Sequence, residues 1–103
     1  MRSIFDISEY TGESEVSEGI LKKENIRIER ILSAGQTSPE TGWYDQDENE
    51  FVILIQGNAT IEFEDGIKEL KTGDYLDITA HKKHKVTYTS DDPVCIWIAV
   101  FYR

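Results

Sequence analysis

Cysteine and proline are scarce in this 103-residue chain, and so is positive charge. The single cysteine, Cys95, excludes an intrachain disulfide. It sits in an apolar run with no positive neighbour in sequence, the setting of a small buried hydrophobe rather than of a thiolate nucleophile. Lys and Arg number 11 against 20 Asp and Glu, for a formal net charge of -9. Such a chain repels nucleic-acid phosphates and anionic headgroups. The densest basic group, Lys82, Lys83 and Lys85, is too short to reverse this, so neither nucleic acid nor membrane is an expected partner. Long hydrophobic runs are also missing. The longest, Val94 to Tyr102, is too short to span a bilayer, and the first residues turn polar at once without an apolar signal region. The expected location is the cytoplasm, where the sequon Asn58-Ala59-Thr60 carries no meaning. No phosphate-binding Gly-rich loop, Gly-x-Ser-x-Gly elbow, His-Glu-x-x-His helix or paired-Cys motif is present.

What is present is a β pattern. Residues 1–24 read as an acidic arm, rich in Ser, Glu and Gly, that packs on the rest of the domain or on a partner subunit. Between Ile20 and Leu32 two readings compete. Leu21, Asn25, Ile28 and Leu32 suit a helix face, whereas Ile26 and Ile28 alternate with Arg27 and Glu29 as in a strand. The β character of everything downstream favours a strand from about Asn25 to Ser33. Ala34 to Gly42 has loop composition. Phe51 to Ile55 is a β-branched and aromatic run, and Ala59, Ile61 and Phe63 alternate with polar residues. Asp65-Gly66 signals a hairpin, Ile67 to Leu70 and Tyr75 to Ile78 continue it, His84 to Thr89 alternates again, and Val94 to Tyr102 closes the chain. Seven or more short strands, with turns every eight to twelve residues or so, predict an all-β barrel or sandwich. Residues 25–103 would form it. Phe51 to Ile55 and the last strand are apolar on both faces, which implies either a second sheet plus the arm or a subunit interface, and a homodimer is expected.

Alternate residues of a strand share a face. Glu50 shares parity with Val52 and Leu54, and with Gln46 and Tyr44 if the preceding stretch is extended. His84 shares parity with Val86 and Tyr88, while Lys85, Thr87 and Thr89 take the other side. An inward Glu50 and an inward His84 at strand ends converge at a barrel mouth.

These residues carry a resemblance. The stretch Tyr44-Asp45-Gln46-Asp47-Glu48-Asn49-Glu50, followed after six intervening residues by Gly57, resembles the first motif of the cupin superfamily. In that motif two His separated by one residue precede a Glu and then a Gly. Gly73 and the run Thr79-Ala80-His81-Lys82-Lys83-His84 resemble the second motif. The resemblance covers about Asn25 to the C-terminus and implies an antiparallel cupin-type jelly-roll barrel in a single domain. It also implies a divalent metal (Mn, Fe, Ni, Cu or Zn) held by Glu50 and His84, with Gln46 and Tyr44 at the positions of the two motif-one His. In a longer spacing variant Asp45 takes the second of these positions. Thr79 and His81 replace the Pro and Gly of the second motif. Losing two imidazoles moves ligand preference towards harder ions. Trp43, Asp45, Tyr88 and His81 are expected around the pocket, with His81 on the rim because it lies three residues from His84.

Three functions follow from this reading. The first is a metal-binding cupin acting on a small molecule, of oxygenase, isomerase or decarboxylase type. The second is a metal-free barrel that binds a small molecule without turnover, favoured by the loss of the motif-one His pair. The third is a structural or regulatory barrel acting through dimerisation and the N-terminal arm.

Overall fold

The structure, a computed structural model, describes residues 1–103. Eight strands account for its regular structure: β1 (Val16–Lys22), β2 (Ile26–Ser33), β3 (Asn49–Gln56), β4 (Asn58–Phe63), β5 (Gly66–Lys71), β6 (Tyr75–Ile78), β7 (His84–Thr89) and β8 (Cys95–Tyr102). They form a five-stranded sheet in the order β1-β2-β8-β3-β6 and a three-stranded sheet in the order β5-β4-β7. Every strand pairing is antiparallel. The all-β jelly roll predicted from the sequence is thus the observed fold, and β2, β6 and β7 lie where alternation and turn signals placed strands.

The inner faces of the two sheets close over a core of Val52, Leu54, Ala59, Ile61, Phe63, Leu70, Ile78, Cys95 and Trp97. Burying one such Leu or Ile contributes on the order of 1.5–3 kcal/mol. This core reaches the end of the barrel where Gly57 turns β3 into β4. Gly57 has φ +104°, and a Cβ there would meet Cys95 Sγ at 2.8 Å and Ser90 Oγ at 2.9 Å. Only glycine satisfies both the backbone and the space.

The structure departs from the sequence reading in three places and completes it in one. Residues 1–24 are not only an arm: Val16–Lys22 is β1, an edge strand hydrogen-bonded to β2. The residues before it are tied down by backbone acceptors. Arg30 Nη1 donates to the carbonyls of Ile4 (3.0 Å) and Asp6 (2.7 Å), and Gln36 Nε2 donates to that of Gly12 (2.8 Å). The hairpin between β4 and β5 exists, but Phe63 pairs with Gly66, so its two-residue loop is Glu64-Asp65. Gly66 begins the returning strand instead of occupying the turn.

In β2 the alternation is right, and the pairing with β8 decides which set faces inward. Arg27 and Glu29 point inward with Ile31, in register with Phe101, Ala99 and Trp97, while Ile26 and Ile28 face outward. Finally, Thr87 is the extra residue of a β-bulge: Ile61 pairs with Val86 and Thr60 with Tyr88. The bulge switches the parity of β7. Thr89 is therefore buried and donates to the Gln36 carbonyl at 2.6 Å, whereas Tyr88 is 53% exposed. The expectation of an inward Tyr88 is corrected on this ground.

Candidate functional site

The end of the barrel opposite Gly57 is polar. Glu50, at the start of β3, pairs across the sheet with Phe101 on one side and Ile78 on the other. His84 begins β7 opposite Phe63. Both face inward from strand ends, and both are buried, with relative exposures of 9% and 3%. Their side chains meet, His84 Nε2 lying 3.5 Å from Glu50 Oε1.

The loop between β2 and β3 supplies the remaining polar wall. Ser38 exchanges backbone hydrogen bonds with Val86 (3.0 and 2.8 Å), and Tyr44 does so with His84 (2.8 and 3.1 Å). His81 N donates to the Gln46 carbonyl at 2.7 Å. The loop therefore runs along β7 like a partial extra strand. Its alternate residues Tyr44 and Gln46 turn inward, and Trp43 and Asp45 turn away. Gln46 Nε2 donates to Glu50 Oε1 at 3.1 Å, and the Tyr44 ring lies 5.4 Å from that of His84.

These side chains surround a cavity of about 260 Å³. Val52, Ile61, Ile78, Val86 and Trp97 form its apolar walls. Glu50, His84, Gln46 and Tyr44 line it together, but Trp43, Asp45, His81 and Tyr88 do not. Trp43 packs on the outside beneath Lys85 Nζ, 4.4 Å from the ring centre. Asp45 and His81 form an exposed pair on the rim at 2.8 Å. The placement of Trp43 and Asp45 is corrected by loop parity and that of Tyr88 by the bulge at Thr87, while His81 lies on the rim as expected.

Several lining residues escaped the sequence reading: Glu15, Arg27, Glu29, Ser38 and Thr89. The shared parity of Arg27 and Glu29 with Ile31 was the one available signal. Arg27 Nη2 donates to Glu48 at 2.8 Å, Nη1 pairs with Glu29, and the guanidinium rests 3.8 Å over the Phe101 ring. A wider groove of about 900 Å³ separates the N-terminal residues from β1 and β2. Of the two arginines on it, Arg2 and Arg30, the latter is already held by Glu18 and two carbonyls.

The electrostatics set protonation states. His84 Nδ1 lies 2.9 Å from the Lys82 carbonyl, an acceptor only, so Nδ1 carries a proton and Nε2 faces Glu50. Burial by itself lowers the pKa of His84; the hydrogen bond with Glu50, the Lys82 carbonyl and the Glu50 charge outweigh it, and the net shift is upward. Burial raises the Glu15 carboxyl, with partial relief from the Ser38 hydroxyl and a further rise from Glu50. Burial also raises the Tyr44 phenol, so it stays protonated near neutrality. The arrangement can therefore hold a proton on either of two adjacent groups, the elementary requirement of acid–base chemistry on a bound molecule.

A divalent metal fits this donor set poorly. Nowhere do three or more His, Cys, Asp or Glu side chains converge as metal ligands. The only imidazole in the cavity is His84, Gln46 turns its amino group towards Glu50, and Tyr44 is a protonated phenol. No buried side-chain nitrogen or oxygen lacks a partner. Transition-metal sites lean on several convergent imidazole, thiolate or carboxylate donors, and of the groups lining this cavity only Glu50 and His84 come together.

Fold and site together define a small jelly-roll domain with a polar barrel mouth. Residues 29–101 match the family described as Cupin domain, and the chain belongs to that family. A Ralstonia eutropha protein, provisionally assigned as a mannose-6-phosphate isomerase, is 32% identical, with a TM-score of 0.90 over 99% of this chain and 96% of its own. A cupin superfamily protein from Desulfitobacterium hafniense is 19% identical (TM-score 0.75; 87% of this chain, 78% of that one). A cupin family protein with a double-stranded β-helix fold from Methanocaldococcus jannaschii is 20% identical (TM-score 0.73; 90% and 84%). The latter two share the fold alone. No curated protein matches the sequence.

Proposed function

We propose that this cupin domain binds a small organic molecule in the barrel mouth, between the apolar walls and the Glu50–His84 pair, without a resident transition metal. One observation carries the reading: two buried ionisable side chains from different sheets meet at 3.5 Å on a cavity of about 260 Å³. Apolar walls with a few convergent polar groups are the usual make-up of a small-molecule site. The volume lies just under the usual range for drug-sized ligands, so the occupant is smaller than those. Gln46 and Tyr44 orient the molecule, and Glu50 with His84 supplies a proton donor and acceptor. Isomerase-type proton transfer is the turnover this pair supports best.

The test is a fragment screen by protein NMR on wild type, Glu50→Gln and His84→Gln. Expected are hits that shift resonances of Trp97 and Ile78, and whose affinity falls at least tenfold in both variants. Elemental analysis of the same preparations addresses the metal reading. Near-stoichiometric metal in the wild type, absent from both variants, would overturn the metal-free site in favour of Glu50 and His84 as ligands.

A second copy of the chain is the natural cover for the outer face of the five-stranded sheet. Phe51, Ile53, Ile98 and Val100 lie there half-buried, and Leu21, Ile26 and Tyr75 are exposed. On a chain of net charge -9 this mostly apolar patch, with Arg30 opposite Ile98 and Asp77 opposite Phe51 as its charged members, is where two copies approach with least repulsion. The acidic surface disfavours nucleic acid, and the one buried free thiol suits a reducing, cytoplasmic setting.

A further inference from the structure

The charges around the cavity are unbalanced in a way that bears on what enters it. Three carboxylates line it: Glu15, Glu29 and Glu50. Only two lining groups can be cationic, Arg27 and His84, and neither is free. The Arg27 guanidinium is shared between Glu29 and Glu48, the latter through two donors at 2.8 and 3.4 Å, and its face covers Phe101. His84 spends Nδ1 on the Lys82 carbonyl and turns Nε2 to Glu50. Nearby lysines do not compensate. Lys82 Nζ sits on the Phe63 ring and Lys85 Nζ on Trp43, and neither lines the cavity.

Glu15 is the odd member. It comes from the segment just before β1, is half-buried, and belongs to none of the ion pairs of the protein. It lines the same cavity as Glu50, and so do the aromatic side chains of Tyr44 and Trp97. An unpaired carboxylate in a partly desolvated space destabilises an anion there and stabilises a cation. Aromatic faces also attract ammonium groups. A phosphate, with close to two negative charges, would meet three carboxylates and no uncommitted donor cation.

From this geometry we infer that the barrel mouth takes a small organic cation, an ammonium or guanidinium compound, in preference to a phosphorylated or carboxylated molecule, with Glu15 as the residue that sets this selectivity. The inference rests on the cavity being the ligand site, and it separates this chain from any role on a sugar phosphate.

Three probes decide it. Choline and 3,3-dimethylbutan-1-ol have nearly the same shape and differ by the charge; mannose 6-phosphate carries the opposite charge. Affinities are measured by NMR titration, following Trp97. Expected is choline binding at least tenfold tighter than the neutral isostere, no saturable binding of mannose 6-phosphate, and a ratio falling towards one in Glu15→Gln. Far-ultraviolet circular dichroism establishes that Glu15→Gln folds, and Glu50→Gln gives a second reading of the same ratio.

Equal affinity for choline and its neutral isostere overturns the selectivity while leaving the cavity as a binding site. So does binding of mannose 6-phosphate displaced by Glu50→Gln. If none of the three probes perturbs Trp97, and the fragment screen is also blank, the cavity reading itself fails and the selectivity with it.

Discussion

The Glu50–His84 pair makes a pH-dependent prediction that a double-mutant cycle can test. At 3.5 Å, a carboxylate and an imidazolium attract by roughly 5 kcal/mol at an effective dielectric near 20, which is a ceiling. Burying both groups offsets much of it, since their side chains are only 12% and 4% exposed. A net coupling of about 1.5–3 kcal/mol is expected, the range of hydrogen bonds to charged groups. The folded-state pKa of His84 is raised, because Glu50 and the Lys82 carbonyl outweigh burial. A raised histidine contributes stability that is fully present below its unfolded pKa, roughly 6.5, and is lost as pH rises through the folded value. Wild type, Glu50→Gln, His84→Gln and the double variant are to be unfolded in urea at about pH 5.5 and about pH 9. The coupling energy should reach the stated range at the lower pH. At the higher pH it should fall below about 1 kcal/mol, the worth of a long neutral hydrogen bond. A coupling that is the same at both pH values, or larger at pH 9, refutes the reasoning.

Two further outcomes are expected. Gly57→Ala should lose about 2–5 kcal/mol in chemical denaturation: positive φ costs about 1–2, and a Cβ 2.8 Å from Cys95 Sγ and 3.0 Å from Cys95 Cα adds an overpacking cost of about 1–3. A loss under about 1 kcal/mol would mean that the turn relaxes freely. If the outer sheet face is covered by a second copy, analytical ultracentrifugation should find a dimer in the wild type and a folded monomer in Ile98→Lys. A monomeric wild type at high micromolar concentration removes that interface.

How much of the site could be read before any coordinates depended on parity. Glu50, Gln46 and Tyr44 alternate through an extended stretch, so their common face follows from backbone geometry, and His84 follows from the start of β7. Tyr88 did not follow, because one extra residue at Thr87 reverses every face after it, and no residue type there announces a bulge. Arg27 and Glu29 were legible as a strand but not as cavity lining. Charged residues alternating with isoleucines read as a solvent face, and only the pairing of β2 with β8 turns them inward. Glu15 lies far from the other site residues in sequence and reaches the cavity solely because β1 pairs along β2.

Local patterns were enough to determine an all-β domain: strand periodicity, turn residues and the absence of disulfide, membrane-spanning and phosphate-loop signals each act over a few residues. They also placed an acid and an imidazole at the ends of two strands. The tertiary structure decided what those groups face. Sheet order, register and bulges are long-range properties set by how the whole chain packs, and they turned Arg27, Glu29 and Glu15 towards the mouth and Tyr88 away from it. The charge of the cavity is the sum over residues that only packing brings together.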